Sequence, residues 1–167
     1  MSGCVRFLLS CLFAAVVLQP AGAVERSLRQ TFTMQPGSSL SVDTYRGGVI
    51  VEESKGNELR VEVRIELGTD DEAEAERGFG ALKLTVDQVD NEVRVRARNP
   101  RESMAIFAWE EKKRTELTFR VFVPSGSRVD VRTLDGGITV GNRTGDVMAR
   151  TQTGTIFCRA IDGSIQA

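Results

Sequence analysis

Five short segments spaced nine residues apart close the chain, and they constrain its fold more than any other feature. They are Ser127 to Val131 (SRVDV), Gly136 to Val140 (GGITV), Gly145 to Ala149 (GDVMA), Gly154 to Cys158 (GTIFC) and Gly163 to Ala167 (GSIQA). The third position is always apolar (Val129, Ile138, Val147, Ile156, Ile165), and so is the fifth (Val131, Val140, Ala149, Cys158, Ala167). Alternation with a period of two buries one face of a strand. A glycine opens four of the five segments and supplies a turn residue that can take positive φ, so the region reads as short strands separated by tight turns.

Alternate segments match more closely than adjacent ones. Val131-Arg132-Thr133-Leu134-Asp135-Gly136-Gly137-Ile138 recurs eighteen positions later as Ala149-Arg150-Thr151-Gln152-Thr153-Gly154-Thr155-Ile156. One coil is therefore expected to hold two nine-residue faces, with strands of about 17 Å and coils stacked about 4.8 Å apart. Nine-residue spacing also raises the calcium-binding β-roll. That motif needs G-G-x-G-x-D in each repeat, whereas only Gly136-Gly137 is doubled here, so Asp135 and Asp162 read as Asp-Gly turn residues.

Residues 1–23 read as a signal peptide: Arg6, an apolar run from Phe7 to Leu18, then Gln19-Pro20-Ala21-Gly22-Ala23 with an A-x-A cleavage site. The run is short for a membrane span, and no second one follows. A lipobox ending at Cys11 is the rival reading, disfavoured because the apolar run continues past Cys11. Cleavage after Ala23 starts the mature chain at Val24 and removes Cys4 and Cys11, leaving Cys158 without a disulfide partner in a column of small apolar residues. Removing Arg6 from 22 basic against 23 acidic residues leaves a net charge of −2, which does not point to nucleic acid. Residues 24–167 are expected to form one exported domain.

An earlier segment, Pro36 to Val51, parallels Pro124 to Val140 in its Pro/Gly/Ser turn, paired apolar strand and Gly-Gly turn. Between the copies, Leu59 to Leu67, Leu82 to Val86, Val93 to Ala97 and Leu117 to Val123 alternate apolar with polar residues and read as half-buried strands. Val89-Asp90-Asn91-Glu92 reads as a turn between antiparallel neighbours. Asp70 to Phe79 is the one helical stretch, with Thr69 or Asp70 as N-cap. The expected fold is mainly β: a β-solenoid-like stack of short Gly-initiated strands, two nine-residue faces per coil, plus an antiparallel strand region and one short helix.

The leader, the charged alternating strands, the turn Val123-Pro124-Ser125-Gly126 and the T-x-D-G-x-I-x-V run with its repeats resemble the bacterial putative-adhesin family of β-strand-repeat proteins. The likeness covers roughly Ser38 to Ala167. It implies a solenoid exposed in the cell envelope, in the periplasm or at the cell surface of a bacterium, with adhesion as a proposed role and, for some relatives, association with envelope-stress systems. No catalytic residues belong to that family. The chain departs from the pattern by ending on its fifth repeat, in register, without a polar capping segment, so the expectation is either a truncated product of a longer repeat protein or a chain that associates end to end.

Histidine is absent, which excludes a histidine base, a His-bearing triad and a His-ligated metal, and a single mature cysteine excludes a cysteine cluster. No cofactor is expected. The acidic run Asp70-Asp71-Glu72 with Glu74 and Glu76 reads as a helix start favoured by the macrodipole. The outward fourth positions of the repeats, Asp130, Thr139, Met148, Phe157 and Gln166, lack the clustered carboxylates of a carbohydrate-cleaving β-helix. Two surface features remain as candidate contacts with an envelope polymer or protein partner. Arg132 and Arg150 should lie one above the other, with Arg143 and Arg159 at other turns, their charges met by solvent or by an anion. Met104 to Trp109 is an apolar run between charged flanks, which either folds over the sheet or offers Phe107 and Trp109 as an adhesive patch. These readings favour a non-enzymatic envelope module that acts by contact. An accessory or sensor component of an envelope-stress system is the first alternative, and a carbohydrate-active β-helix enzyme the second.

Overall fold

The computed structural model describes residues 24–98 and 115–167. The leader and the Met104 to Trp109 run lie outside them, and so do the readings that rest on those residues.

The described chain is mainly β with one helix. In order it comprises β1 (Val24–Thr33), β2 (Ser39–Arg46), β3 (Gly48–Glu53), β4 (Glu58–Leu67), α1 (Glu72–Ala81), β5 (Lys83–Val89), β6 (Glu92–Arg98) and β7 (Thr115–Val123). Then follow β8 (Arg128–Asp135), β9 (Ile138–Val140), β10 (Arg143–Thr144), β11 (Val147–Thr153), β12 (Ile156–Cys158), β13 (Ile161–Asp162) and β14 (Ile165–Gln166). They form two six-stranded sheets, β1-β4-β7-β3-β9-β12 and β14-β11-β8-β2-β6-β5, and a small pair, β10-β13. Both large sheets are mixed: β1, β4 and β7 pair antiparallel, as do β5 and β6, while the remaining neighbours in each sheet are parallel.

The parallel register reproduces the eighteen-residue spacing. Val129 pairs with Val147 and Val147 with Ile165 in the second sheet, and Ile138 pairs with Ile156 in the first. The apolar column drawn from nine-residue spacing is thus two columns on two sheets, because successive half-repeats land on alternate sheets. The earlier copy joins the same stack, with Leu40 beside Val129 and Val49 beside Ile138.

Each passage from the second sheet to the first, β2 to β3, β8 to β9 and β11 to β12, is made at a glycine. Gly136 has φ +149° and Gly154 φ +143°. A Cβ on Gly136 would run into the carbonyl of Gly47, and one on Gly154 into that of Gly136. Glycine permits both the backbone angle and the close approach. The hydrogen-bond ladder passes through this corner unbroken: Gly47 N–H donates to Asp135 O at 2.8 Å and Gly136 N–H to Thr153 O at 2.8 Å.

Inward residues of both sheets and of α1 share one apolar cluster, including Leu40, Val61, Phe79, Val95, Phe119, Val131 and Ile138. The helix starts two residues later than its sequence suggests. Asp71 is the N-cap, its carboxylate accepting from Ala73 N–H at 2.8 Å and Glu74 N–H at 3.1 Å, while the Thr69 hydroxyl donates to Glu74. At the β12–β14 end burial falls away: Ile156, Cys158 and Ile161 are half-buried and Ile165 is 47% exposed. The expectation that the apolar column Ile138, Val147, Ile156 and Ile165 is buried throughout is corrected. Ile138 and Val147 are buried, whereas Ile156 is half-buried and Ile165 exposed, since β12 and β14 are short edge strands with a sheet neighbour on one side only. Burial of Cys158 pushes its thiol pKa up, which keeps it protonated at neutral pH. Among the described residues no helix is long and apolar enough to cross a membrane.

One polar staple joins the turn before β14 to the turn before β11 at this end. Ser164 donates to the Asp146 carboxylate from its backbone N–H at 3.0 Å and its hydroxyl at 2.8 Å, and these bonds, helped by nearby Arg128, hold Asp146 below its ordinary pKa.

Ile138, with no exposed surface, should lose about 2–5 kcal/mol of stability on Ile138→Ala in urea melts, and Ile165→Ala far less. Equal losses would contradict the described register. Because the folded Asp146 pKa is depressed, its contribution is present above the unfolded value of about 3.9 and is lost as pH falls through the folded value. The stability difference between Asp146→Ala and the unaltered protein should therefore be largest near neutral pH and shrink progressively below pH about 4. A pH-independent difference in denaturation midpoints would contradict this.

Candidate functional site

Strand alternation decides which side chains the second sheet presents outward. In β8, Val129, Val131 and Thr133 point to the core, which leaves Arg128, Asp130, Arg132 and Leu134 on the outer face. In β11 the same alternation turns Thr151 inward, where its hydroxyl donates to Gly136 O at 2.9 Å, and leaves Met148 and Arg150 outside. The Arg-Thr repeat is thus a packing repeat, with threonine at the glycine corner and arginine on the surface.

Register places Arg150 directly beside Arg132, as the eighteen-residue repeat implies. On the other side of Arg132 stands Asp43 of β2, and beyond it Arg96 of β6, so the row across four strands reads Arg96, Asp43, Arg132, Arg150. Most carboxylates near the row are engaged, the exception being the exposed Asp87 of β5, which stands opposite Arg94 and makes no ion pair among the described residues. Asp43 pairs with Arg98, Glu92 pairs with Arg94, and Asp130 accepts from both Nε and Nη2 of Arg132, at 3.2 and 2.9 Å. Arg96 and Arg150 are exposed and make no ion pair among the described residues.

The other residues singled out from the sequence are dispersed. Arg159 is exposed after β12, at the edge of the first sheet, where its N–H donates to Val140 O; it does not join the row. Arg143, grouped with the surface arginines, is instead 4% exposed. Its guanidinium donates to Ser127 O and to Thr144 O, Nε and Nη1 have no hydrogen-bond partner, and burial lowers its pKa while Glu53 opposes that. The parity of its strand explains this: β10 turns Arg143 inward and Thr144 outward. Phe107 and Trp109 lie outside the described residues. Asp135 lies 3.8 Å from Arg46, in an open cleft of about 350 Å³ at the β2–β3 corner that Thr115, Glu116 and Thr118 also line. Among the described residues no group of three or more Asp, Glu or Cys is arranged to hold a metal ion.

Arg96 was missed from the sequence. Its signal was present in the alternating Arg94, Arg96 and Arg98 of β6, but only the pairing of β6 with β2 brings that strand to the repeats.

No protein-family model matches the chain, and no curated protein does. Among solved structures it is similar to a putative cell adhesion protein from Clostridium sporogenes, at 5% identity and a TM-score of 0.41, over 84% of this chain and 98% of that one. It is also similar to a putative lipid binding protein from Parabacteroides distasonis, at 6% identity and a TM-score of 0.34, over 82% of this chain and 59% of that one. A third is a putative adhesin from Parabacteroides merdae, at 6% identity and a TM-score of 0.31, over 81% of this chain and 57% of that one. At these scores the likeness assigns neither a family nor an activity to the chain.

Proposed function

We propose that the chain is an exported, non-enzymatic module of a bacterial envelope that works by surface contact, built as a β-solenoid-like stack of eighteen-residue coils. The observation that carries this reading is the parallel register, which repeats outward side chains from coil to coil and so makes an extended, regular surface. The A-x-A leader supports export. In its native cell the tagged protein should be recovered with the envelope and begin at Val24; an uncleaved cytoplasmic product would overturn the reading.

Pairing of the β12–β14 edge, either with further repeats of a longer chain or with a second copy, belongs to the same reading. The β12–β14 end combines strand edges with the exposed Ile165 and half-buried Ile156 and Ile161, a surface that pairs readily with another copy. Sedimentation velocity of the purified residues 24–167 should show concentration-dependent oligomers that Ile165→Lys diminishes. A monodisperse monomer over a wide concentration range would remove self-association from the proposal.

A further inference from the structure

We infer that the outer face of the second sheet binds an extended polyanionic glycan, a linear polysaccharide carrying sulfate, phosphate or carboxylate groups, along the row from Arg96 through Arg132 to Arg150. This deepens the contact-module reading and rests on it.

Geometry supplies the first argument. Arg96 and Arg150 are separated by three strand spacings, about 14 Å, with Arg132 between them. A compact anion reaches one or two of these groups, whereas a linear polymer laid across the strands reaches all three. Charge supplies the second. Asp43, the one carboxylate within the row, is held by Arg98, so the unengaged groups of the row are the guanidinium ions of Arg96 and Arg150; beside the row the single unpaired carboxylate of Asp87 is outnumbered by them. Lys83 and Arg128, exposed on the same face, reinforce the field. A guanidinium presents a planar fork suited to oxyanions. The whole chain carries a formal charge of −1, so the attraction is local and acts within about 8 Å at physiological salt.

Surface chemistry separates a glycan from a nucleic acid. Single strands are held by bases stacked on aromatic rings, and the one aromatic side chain that β2, β5, β6, β8, β11 and β14 contribute, Tyr45, is buried. Leu134, 57% exposed, and the half-buried Met148 lie on the outer face near the row and offer apolar contact to the C–H faces of sugar rings.

The test uses purified residues 24–167 with dextran sulfate as probe, and neutral dextran and single-stranded DNA of matched charge as comparators. Dextran sulfate should bind with an affinity that falls steeply as salt rises, neutral dextran should not bind, and DNA should bind more weakly. Arg96→Gln with Arg150→Gln should weaken dextran sulfate binding about fivefold or more, as the loss of two exposed ion pairs implies, with unchanged circular dichroism. Arg159→Gln, which removes one positive charge away from the row, should leave affinity unchanged, whereas Arg150→Gln alone, which removes the same charge within it, should weaken binding. Absence of dextran sulfate binding at low salt, an equal loss from Arg159→Gln alone, or tighter binding to DNA would each overturn the inference. Purified protein that binds isolated envelope fragments but not dextran sulfate would overturn it while leaving the contact-module reading in place.

Discussion

The contact of neighbouring chain segments at the glycine corner is the constraint on which the rest of the structure depends. Gly136 sits on Gly47 and Gly154 on Gly136 so closely that a side chain at either would displace the neighbouring backbone. Ladder bonds therefore continue around the bend without loss of register, and every residue that follows inherits its direction from that corner. Thr133 and Thr151 turn inward beside the glycines, so Arg132 and Arg150 can only turn outward. The cationic row is a consequence of close packing and needs no separate scaffold.

Stacking identical residues has an electrostatic cost. Like charges directly opposite on neighbouring strands destabilise a sheet, in pairs worth about 0.2–1 kcal/mol. Here the cost is reduced by carboxylates from different sources: Asp130 from the same strand as Arg132, and Asp43 from the earlier copy, which interrupts what would otherwise be a run of cations. The last of the stacked arginines has no such neighbour.

The eighteen-residue spacing was legible because apolar alternation and an Arg-Thr-x-x-Gly pattern repeat together, and each constrains the same turn. Strands β4 to β7 were legible for the simpler reason that polar and apolar residues alternate cleanly in them. Strand β1 was not read, since Glu25, Arg26, Ser27 and Arg29 give an edge strand little apolar signal until it is paired with β4. Burial of Arg143 was hidden because a two-residue strand is too short to show its parity, and exposure of Ile165 because periodicity says which way a residue points but not whether anything covers it. Arg96 depended on a parallel pairing between distant segments, which local patterns do not encode.

That same long-range pairing governs when the molecule can come into being. Strand β2 is flanked by β6 and β8, both made after it, and the contact of Ser38 with Ser127 spans 89 positions. Closing such separations before any reward is collected makes folding slow relative to helical proteins of similar size. Synthesis proceeds from the N-terminus, so a growing chain holds β2 with no sheet neighbour until β6 is made and with one open side until β8 follows. Only the arrival of β8, in the last third of the sequence, closes the second side of β2, and until then that open edge is a place where the nascent chain can aggregate.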